Sequence, residues 1–209
     1  MTCPWCSNPE GLSTKSGNVL SVNEIINECI SCKAMFFLGG GVTFTGGECT
    51  LHHNELYEIL KALKSNNIHT CIETNGTSEK LTELLPFVDY LIMDFKHYDD
   101  KVLKSFTGVD CKTIKHNFEE ISKIGRQLHI RIPLINNFNT QNPQGFVDYF
   151  TKHNTSNIIF EFLPYHEYGK DKYEKLGMEY SVSDGFVDQN DVNILLKHLK
   201  ENNLKVINT

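Results

Sequence analysis

Residues 41–76 read GVTFTGGECTLHHNELYEILKALKSNNIHTCIETNG, and this stretch decides the fold. Gly41 to Gly46 is an apolar run rich in β-branched residues. Leu56, Ile59, Leu60 and Leu63 then fall at the i, i+3, i+4, i+7 spacing of one helix face, and IHTCIETNG returns to a strand pattern. Two strands joined through a helix require a crossover, hence parallel pairing and the handedness of a βαβ unit.

The same alternation continues outward along the chain. EKLTELLPF reads as a helix and VDYLIMDFKH as a strand. DDKVLKSFTG reads as a helix stopped by its glycine, and Ile114, Phe118, Ile121 and Ile124 carry a helix ending near Gly125. LHIRIPLI is a strand, FVDYFTKH a helix, NIIFEFLPY a strand, and Val192, Leu195, Leu196 and Leu199 mark a last helix. Upstream, Ser21 with Glu24 forms a capping box for SVNEIINECISCKAMFF. Five strands separated by helices leave two architectures open: an open doubly wound sheet, or a barrel of the (β/α) kind, complete or partial. In both, chemistry sits at the C-terminal strand ends.

The 209 residues form one expected domain, 1–209, long enough to bury a sizeable core, and no repeat or Pro/Gly/Ser-rich linker divides it. The balance of 20 basic against 26 acidic residues, a net charge of -6 without any Lys/Arg run, argues against nucleic acid as a main ligand. No apolar stretch is long enough to span a membrane, and the N-terminus lacks the pattern of a secretory signal. A cytoplasmic protein is expected. Its seven cysteines are an odd count without a small-scaffold disulfide pattern, which points to reduced thiols, and clustered reduced thiols suggest metal or redox work.

The strand ends are Gly46-Gly47-Glu48, Glu73-Thr74-Asn75-Gly76, Asp94-Phe95-Lys96-His97, Arg131, and Pro164-Tyr165-His166. Nearly all are polar, charged or glycine, as an active-site rim requires. Gly46 and Gly47 lack Cβ, so their backbone suits either close approach to a ligand or a plain strand-to-helix turn. Glu48, Glu73 and Asp94 would repel one another unless a cation lies among them: a metal, Lys96, or the ammonium of a ligand. Arg131 lies in an apolar strand, where an unpaired guanidinium is costly, so a carboxylate partner is expected for it, from the protein or from a substrate. His166 is either a ligand contact or a hydrogen-bonded surface histidine.

At the N-terminus, Cys3 and Cys6 make a C-x-x-C pair in CPWCSNPEG. Together with GGGVTFTGGE, ETNG, VDYLIMDFKH, TGVD, IRIPLI and FLPYHEYGKDKYEKLG, in this order and covering essentially the whole chain, it resembles the radical S-adenosylmethionine (SAM) enzymes that activate glycyl radical enzymes. The fold implied is α/β, a partial (β/α)6 TIM-like barrel of the radical SAM type lacking its first strand. The resemblance implies a 4Fe-4S cluster on a C-x3-C-x2-C motif, with Cys3 and Cys6 as its second and third thiolates and Trp5 in the aromatic position between them. Cys3, Cys6 and Lys96 are the residues expected to carry the chemistry.

The resemblance further implies that Gly46, Gly47 and Glu48 receive the methionyl amine of SAM, and that Arg131 helps hold its carboxylate. Asp94, Phe95, Lys96 and His166 are expected around the carboxylate, ribose or adenine, while Trp5, Cys6, Ser7 and Asn8 border the nucleoside. By the same resemblance, Glu73, Thr74 and Asp94 are expected to surround a monovalent cation. The partners implied are a glycyl radical enzyme, whose glycine loop enters the barrel, and flavodoxin or ferredoxin as electron donor.

The motif's first cysteine would stand four residues before Cys3, ahead of Met1, so the chain as written is expected to start inside the cluster loop and to assemble a cluster poorly. A cluster-less barrel that binds SAM or a partner is the alternative. A zinc site on Cys3, Cys6, Cys29 and Cys32 is a third reading, but Cys29 continues the apolar face of Val22, Ile25 and Ile26 and reads as a small buried hydrophobe. Only the short LSTKSGN connection follows the loop, so additional clusters are not expected, and Cys49 reads as a packing residue.

Overall fold

The computed structural model describes residues 1–13, 17–37 and 39–207. The LSTKSGN connection lies in part outside them. Helix α1 (Val22–Ser31) leads to strand β1 (Gly41–Phe44), helix α2 (His53–Ser65), β2 (His69–Thr74), the short α3 (Leu81–Leu84), β3 (Tyr90–Asp94), α4 (Asp100–Thr107) and α5 (Lys112–Lys123). Strand β4 (Leu128–Leu134), α6 (Gln144–Phe150), β5 (Ile158–Pro164), α7 (Lys170–Lys175), α8 (Gln189–Glu201) and β6 (Val206–Ile207) complete the order. The five strands read from the sequence are all present. The sixth, β6, is two residues long, too short for a period-2 signal, and exists because it pairs with β5.

All strands are parallel and their order is β1-β2-β3-β4-β5-β6. This order separates the two architectures. A doubly wound sheet reverses its strand order at a switch point, whereas consecutive parallel neighbours joined by same-handed crossovers put every helix on one face. The result is a partial barrel: helices outside, one open inner face.

The outer face carries the core. Leu91 and Met93 on β3, Phe95 just after it, Leu128, Ile130, Ile132 and Leu134 on β4, and Phe160 on β5 are fully buried against the helices. The helix faces anticipated by spacing are the buried ones: Leu56, Ile59, Leu60 and Leu63 on α2, and Ile114, Phe118 and Ile121 on α5. Ile124, expected on that face, is exposed instead, because α5 ends at Lys123 and Gly125 turns the chain with a positive φ. The Ser21–Glu24 capping box is formed in both directions. Helix α1 rests on a smaller apolar cluster of Ile59, Leu63 and Ile68, and Cys29 is among the half-buried residues that pack there.

Candidate active site

At the C-terminal ends of the strands, the N-terminal loop closes over the barrel and encloses a cavity of about 470 Å³. That is within the usual range of small-molecule sites. Cys3, Trp5, Cys6, Ser7 and Asn8 line it from the loop. Gly46, Gly47, Glu48, Glu73, Thr74, Asp94, Lys96, Arg131 and His166 line it from the strand tips. The structure thus gathers every residue expected to bind cofactor or metal except Phe95; of the other strand-end residues, Gly76 and His97 also lie outside the cavity lining. Phe95 is fully buried on the outer face, stacked on Tyr149 at 5.2 Å. The correction follows from strand alternation: with Asp94 and Lys96 turned inward, the residue between them must face the helices.

The two glycines have internal reasons to be glycine. Gly46 sits at φ +117°, and a Cβ on Gly47 would lie 2.8 Å from the carbonyl oxygen of Gly11 in the N-terminal loop. The strand tip is therefore in backbone contact with the loop that carries the thiols.

Each acid has its own partner. The Glu48 carboxylate accepts from the Thr50 amide (3.0 Å), the Thr50 hydroxyl (2.5 Å), the Thr74 hydroxyl (2.7 Å) and the Asn75 amide (2.7 Å), tying the end of β1 to the end of β2. Asp94 pairs with Lys96, and Glu73 pairs with Arg131 while accepting from the Thr45 hydroxyl at 2.8 Å. Arg131 also donates from Nε to Glu161 at 2.9 Å, its register partner on β5. The carboxylates expected for Arg131 thus come from the protein. Glu161 continues to His129 (3.0 Å), whose Nδ1 meets the Tyr90 hydroxyl at 3.1 Å.

Sequence reading missed this inner ladder of Tyr90, His129 and Glu161. Its signal was available: His129 and Arg131 on β4, and Glu161 on β5, are polar at alternate positions of otherwise apolar strands. Glu73, Thr74 and Asp94 are all engaged by protein groups, and among the described residues no three His, Cys, Asp or Glu side chains are placed to share a metal ion.

Electrostatically, Lys96 and the thiols are coupled. Burial alone would lower the Lys96 pKa, but Asp94 and then Cys3 outweigh it and hold it above the ordinary value. Burial pushes the Cys3 thiol up, with Lys96 opposing. Cys49 is turned away from the cavity: its thiol donates to the Glu73 carbonyl at 3.4 Å, and burial, then Glu48, pushes its pKa up to about 12. Trp5 anchors the loop by packing on Phe138 with ring centroids 4.7 Å apart. The His166 ring is stacked on Tyr168 at 4.3 Å.

Parallel strands in consecutive order, a wide polar mouth and a thiol loop over it define a class, and sequence comparison agrees with it. The Radical SAM superfamily pattern matches residues 1–150, and the chain belongs to that superfamily. Among its relatives is the pyruvate formate-lyase-activating enzyme of Clostridium pasteurianum, 32% identical over 208 residues, an alignment covering 96% of this chain and 86% of that one. The 4-hydroxyphenylacetate decarboxylase activating enzyme of Clostridioides difficile (strain CD196) is 35% identical over 169 residues, 78% of this chain and 51% of the relative, so the chain spans about half of that protein. A solved domain of a pyruvate-formate lyase-activating enzyme from Bacteroides vulgatus ATCC 8482 superposes with a TM-score of 0.67 at 27% identity, covering 82% of this chain and 99% of that one. These relatives are activating enzymes of glycyl radical enzymes, a group that works with SAM and a 4Fe-4S cluster.

The residues fit the two groups unequally. A nucleoside-sized cavity with paired charges and exposed strand-tip backbone suits SAM. A 4Fe-4S cluster is held by three or four protein ligands. Among the described residues only two thiols, Cys3 and Cys6, reach the cavity; Cys29, Cys32, Cys49, Cys71 and Cys111 do not line it.

Proposed function

We propose that this chain holds SAM in the strand-tip cavity and serves to activate a glycyl radical enzyme. The observation that carries the reading is the single cavity shared by the Cys3–Cys6 loop, the Gly46-Gly47 turn, the Asp94–Lys96 pair and His166. In this reading the backbone of Gly46 and Gly47 meets the methionyl amine beside Glu48. Lys96 and Arg131, the two cationic side chains of the strand tips that line the cavity, hold the carboxylate while keeping their protein partners. His166 and Trp5, with Ser7 and Asn8, border the nucleoside. A cluster, when bound beside Cys3 and Cys6, would supply the electron for reductive cleavage of the SAM sulfonium.

The protein's own contribution is to orient SAM and exclude water while a glycine loop of the partner enters the open side of the barrel and yields its Cα hydrogen. Flavodoxin or ferredoxin is the fitting electron donor, and the cytoplasm the fitting compartment. No helix among the described residues is long and apolar enough to cross a membrane. The monovalent cation expected at Glu73, Thr74 and Asp94 is not carried into this proposal, because Arg131 and Lys96 already supply the positive charge there.

The test is anaerobic reconstitution with iron, sulfide and reductant, on the chain itself and on a version carrying a cysteine four residues ahead of Cys3, with 5'-deoxyadenosine as readout. Production of 5'-deoxyadenosine that requires Lys96 is expected. A fully assembled cluster with bound SAM and no cleavage would replace this reading with a barrel that binds SAM without redox chemistry.

A further inference from the structure

The stretch GKDKYEKLG, which begins at Gly169, does not line the cavity described above, yet it touches most of the thiol loop. Lys172 on α7 donates from its ammonium to the Ser7 carbonyl (3.0 Å), the Asn8 side-chain oxygen (3.1 Å) and the Glu10 carboxylate (2.8 Å). An ammonium has three donor hydrogens, and here all three are directed at three residues of the loop, Ser7, Asn8 and Glu10. Next to it, Gly169 lies so close that a Cβ would stand 2.8 Å from Ser7 Cα and 2.9 Å from the Cys6 carbonyl oxygen, both backbone atoms. From the same helix, the Tyr173 hydroxyl donates to the Pro4 carbonyl at 3.3 Å. Tyr173 is itself buried and braced edge-on by Tyr180, with ring centroids 4.9 Å apart.

The loop's opposite side rests on the Gly47 backbone through Gly11. Between Pro4 and Glu10 the chain has one short helical turn, begun at Pro9, and few backbone bonds of its own, such as Cys6 N–H to Cys3 C=O at 3.2 Å. Its conformation is therefore set by what grips it from outside.

We propose that Lys172, with Gly169 and Tyr173, is a positioning device that holds the Cys3–Cys6 loop in register with the cavity; this rests on the reading that the loop serves that cavity. Lys172 does not line the cavity and acts only through the residues it holds.

The experiment follows alkylation of individual cysteines in the purified, metal-free, reduced chain by iodoacetamide, quantified by peptide mass spectrometry, for wild type, Lys172→Met and Gly169→Ala. Release of the loop raises local opening, so Cys6 is expected to label about tenfold faster in both variants. Cys111, buried at the start of α5, should keep its wild-type rate. The two variants fail in different ways, one by losing donors and one by steric displacement, so their agreement isolates the loop. Unchanged Cys6 labelling in both would overturn the proposal, as would a parallel rise at Cys111, which would make the lysine a general stabiliser. Wild-type SAM affinity, measured separately by equilibrium dialysis, tests the functional reading: its absence would sink that reading while leaving the thiol rates interpretable.

Discussion

The two faces of the sheet are built from alternate residues of the same strands, yet they obey different rules. On the outer face, Met93, Phe95, Ile130, Ile132 and Phe160 are fully buried and apolar, and their contribution is area removed from water. On the inner face, Glu73, Asp94, His129, Arg131 and Glu161 are charged or ionisable, and each is paired with another. The outer face tolerates apolar side chains of the right size, whereas the inner face requires a complementary set, because a charge there is only partly solvated and an unpaired one is costly. Stability resides mainly in the first, and recognition in the second.

Substitutions can try to break that division. The largest effect is expected from Phe95→Ala, which should cost about 3–5 kcal/mol in denaturant unfolding through the cavity it leaves. SAM affinity of the fraction that remains folded should be unchanged, and a loss of affinity would show that the outer face reaches the site. Lys96→Met should show the reverse pattern. Removing the partner of Asp94 should cost about 2–3 kcal/mol, discounted because Asp94 is partly solvated. Measured calorimetrically, SAM binding should weaken by about 100-fold through loss of a buried charge-assisted contact.

Arg131→Met should destabilise by about 2–3 kcal/mol, since it strands Glu73 and Glu161 together. The double variant Arg131→Met with Glu73→Gln should recover part of this, and additivity of the two changes would sink the ladder as an energetic unit.

A pH series sharpens the comparison on the thiol side. Burial is the largest cause of the raised pKa of Cys49 and Cys111, each about 12, against an ordinary value near 9. A raised folded-state pKa means that the folded chain holds more protons than the unfolded one. The stability is therefore fully present below pH 9 and is lost as pH climbs toward 12. Each thiol should contribute about 2 kcal/mol to that loss after allowing for partial solvent access, and Cys49→Ala should flatten the slope. Buried tyrosines such as Tyr173, also raised to about 12, add to it in the same direction. Ser21→Ala, on the outlying α1, should lower Tm by about 2–4 °C and leave SAM binding untouched.

Much of this was legible in the sequence where a local pattern carried it. Strand β4 showed its apolar face at Leu128, Ile130 and Ile132, and the odd polar members His129 and Arg131 were visible beside them. What periodicity did not reveal was the identity of partners. Glu161 is the register neighbour of Arg131, but nothing in a linear reading places β5 next to β4 with that offset. Phe95 was grouped with its neighbours by its place in a motif, although alternation along the strand assigns it to the core. Lys172 sits more than 160 residues from the loop it grips, and a lysine in a helix rich in Lys and Glu carries no mark of it.

The order of apolar and polar residues by itself determined the strands, the helices, the parallel pairing and the rim of polar strand tips, because side-chain period and crossover geometry are local properties of the chain. The partial barrel, which periodicity left open and the family resemblance implied, is settled by the strand order, and only the tertiary structure decided that each inner acid meets a particular cation and that α7 contacts the thiol loop. Those outcomes depend on distances between segments far apart in sequence, which burial and charge pairing select only when the whole chain has closed on itself.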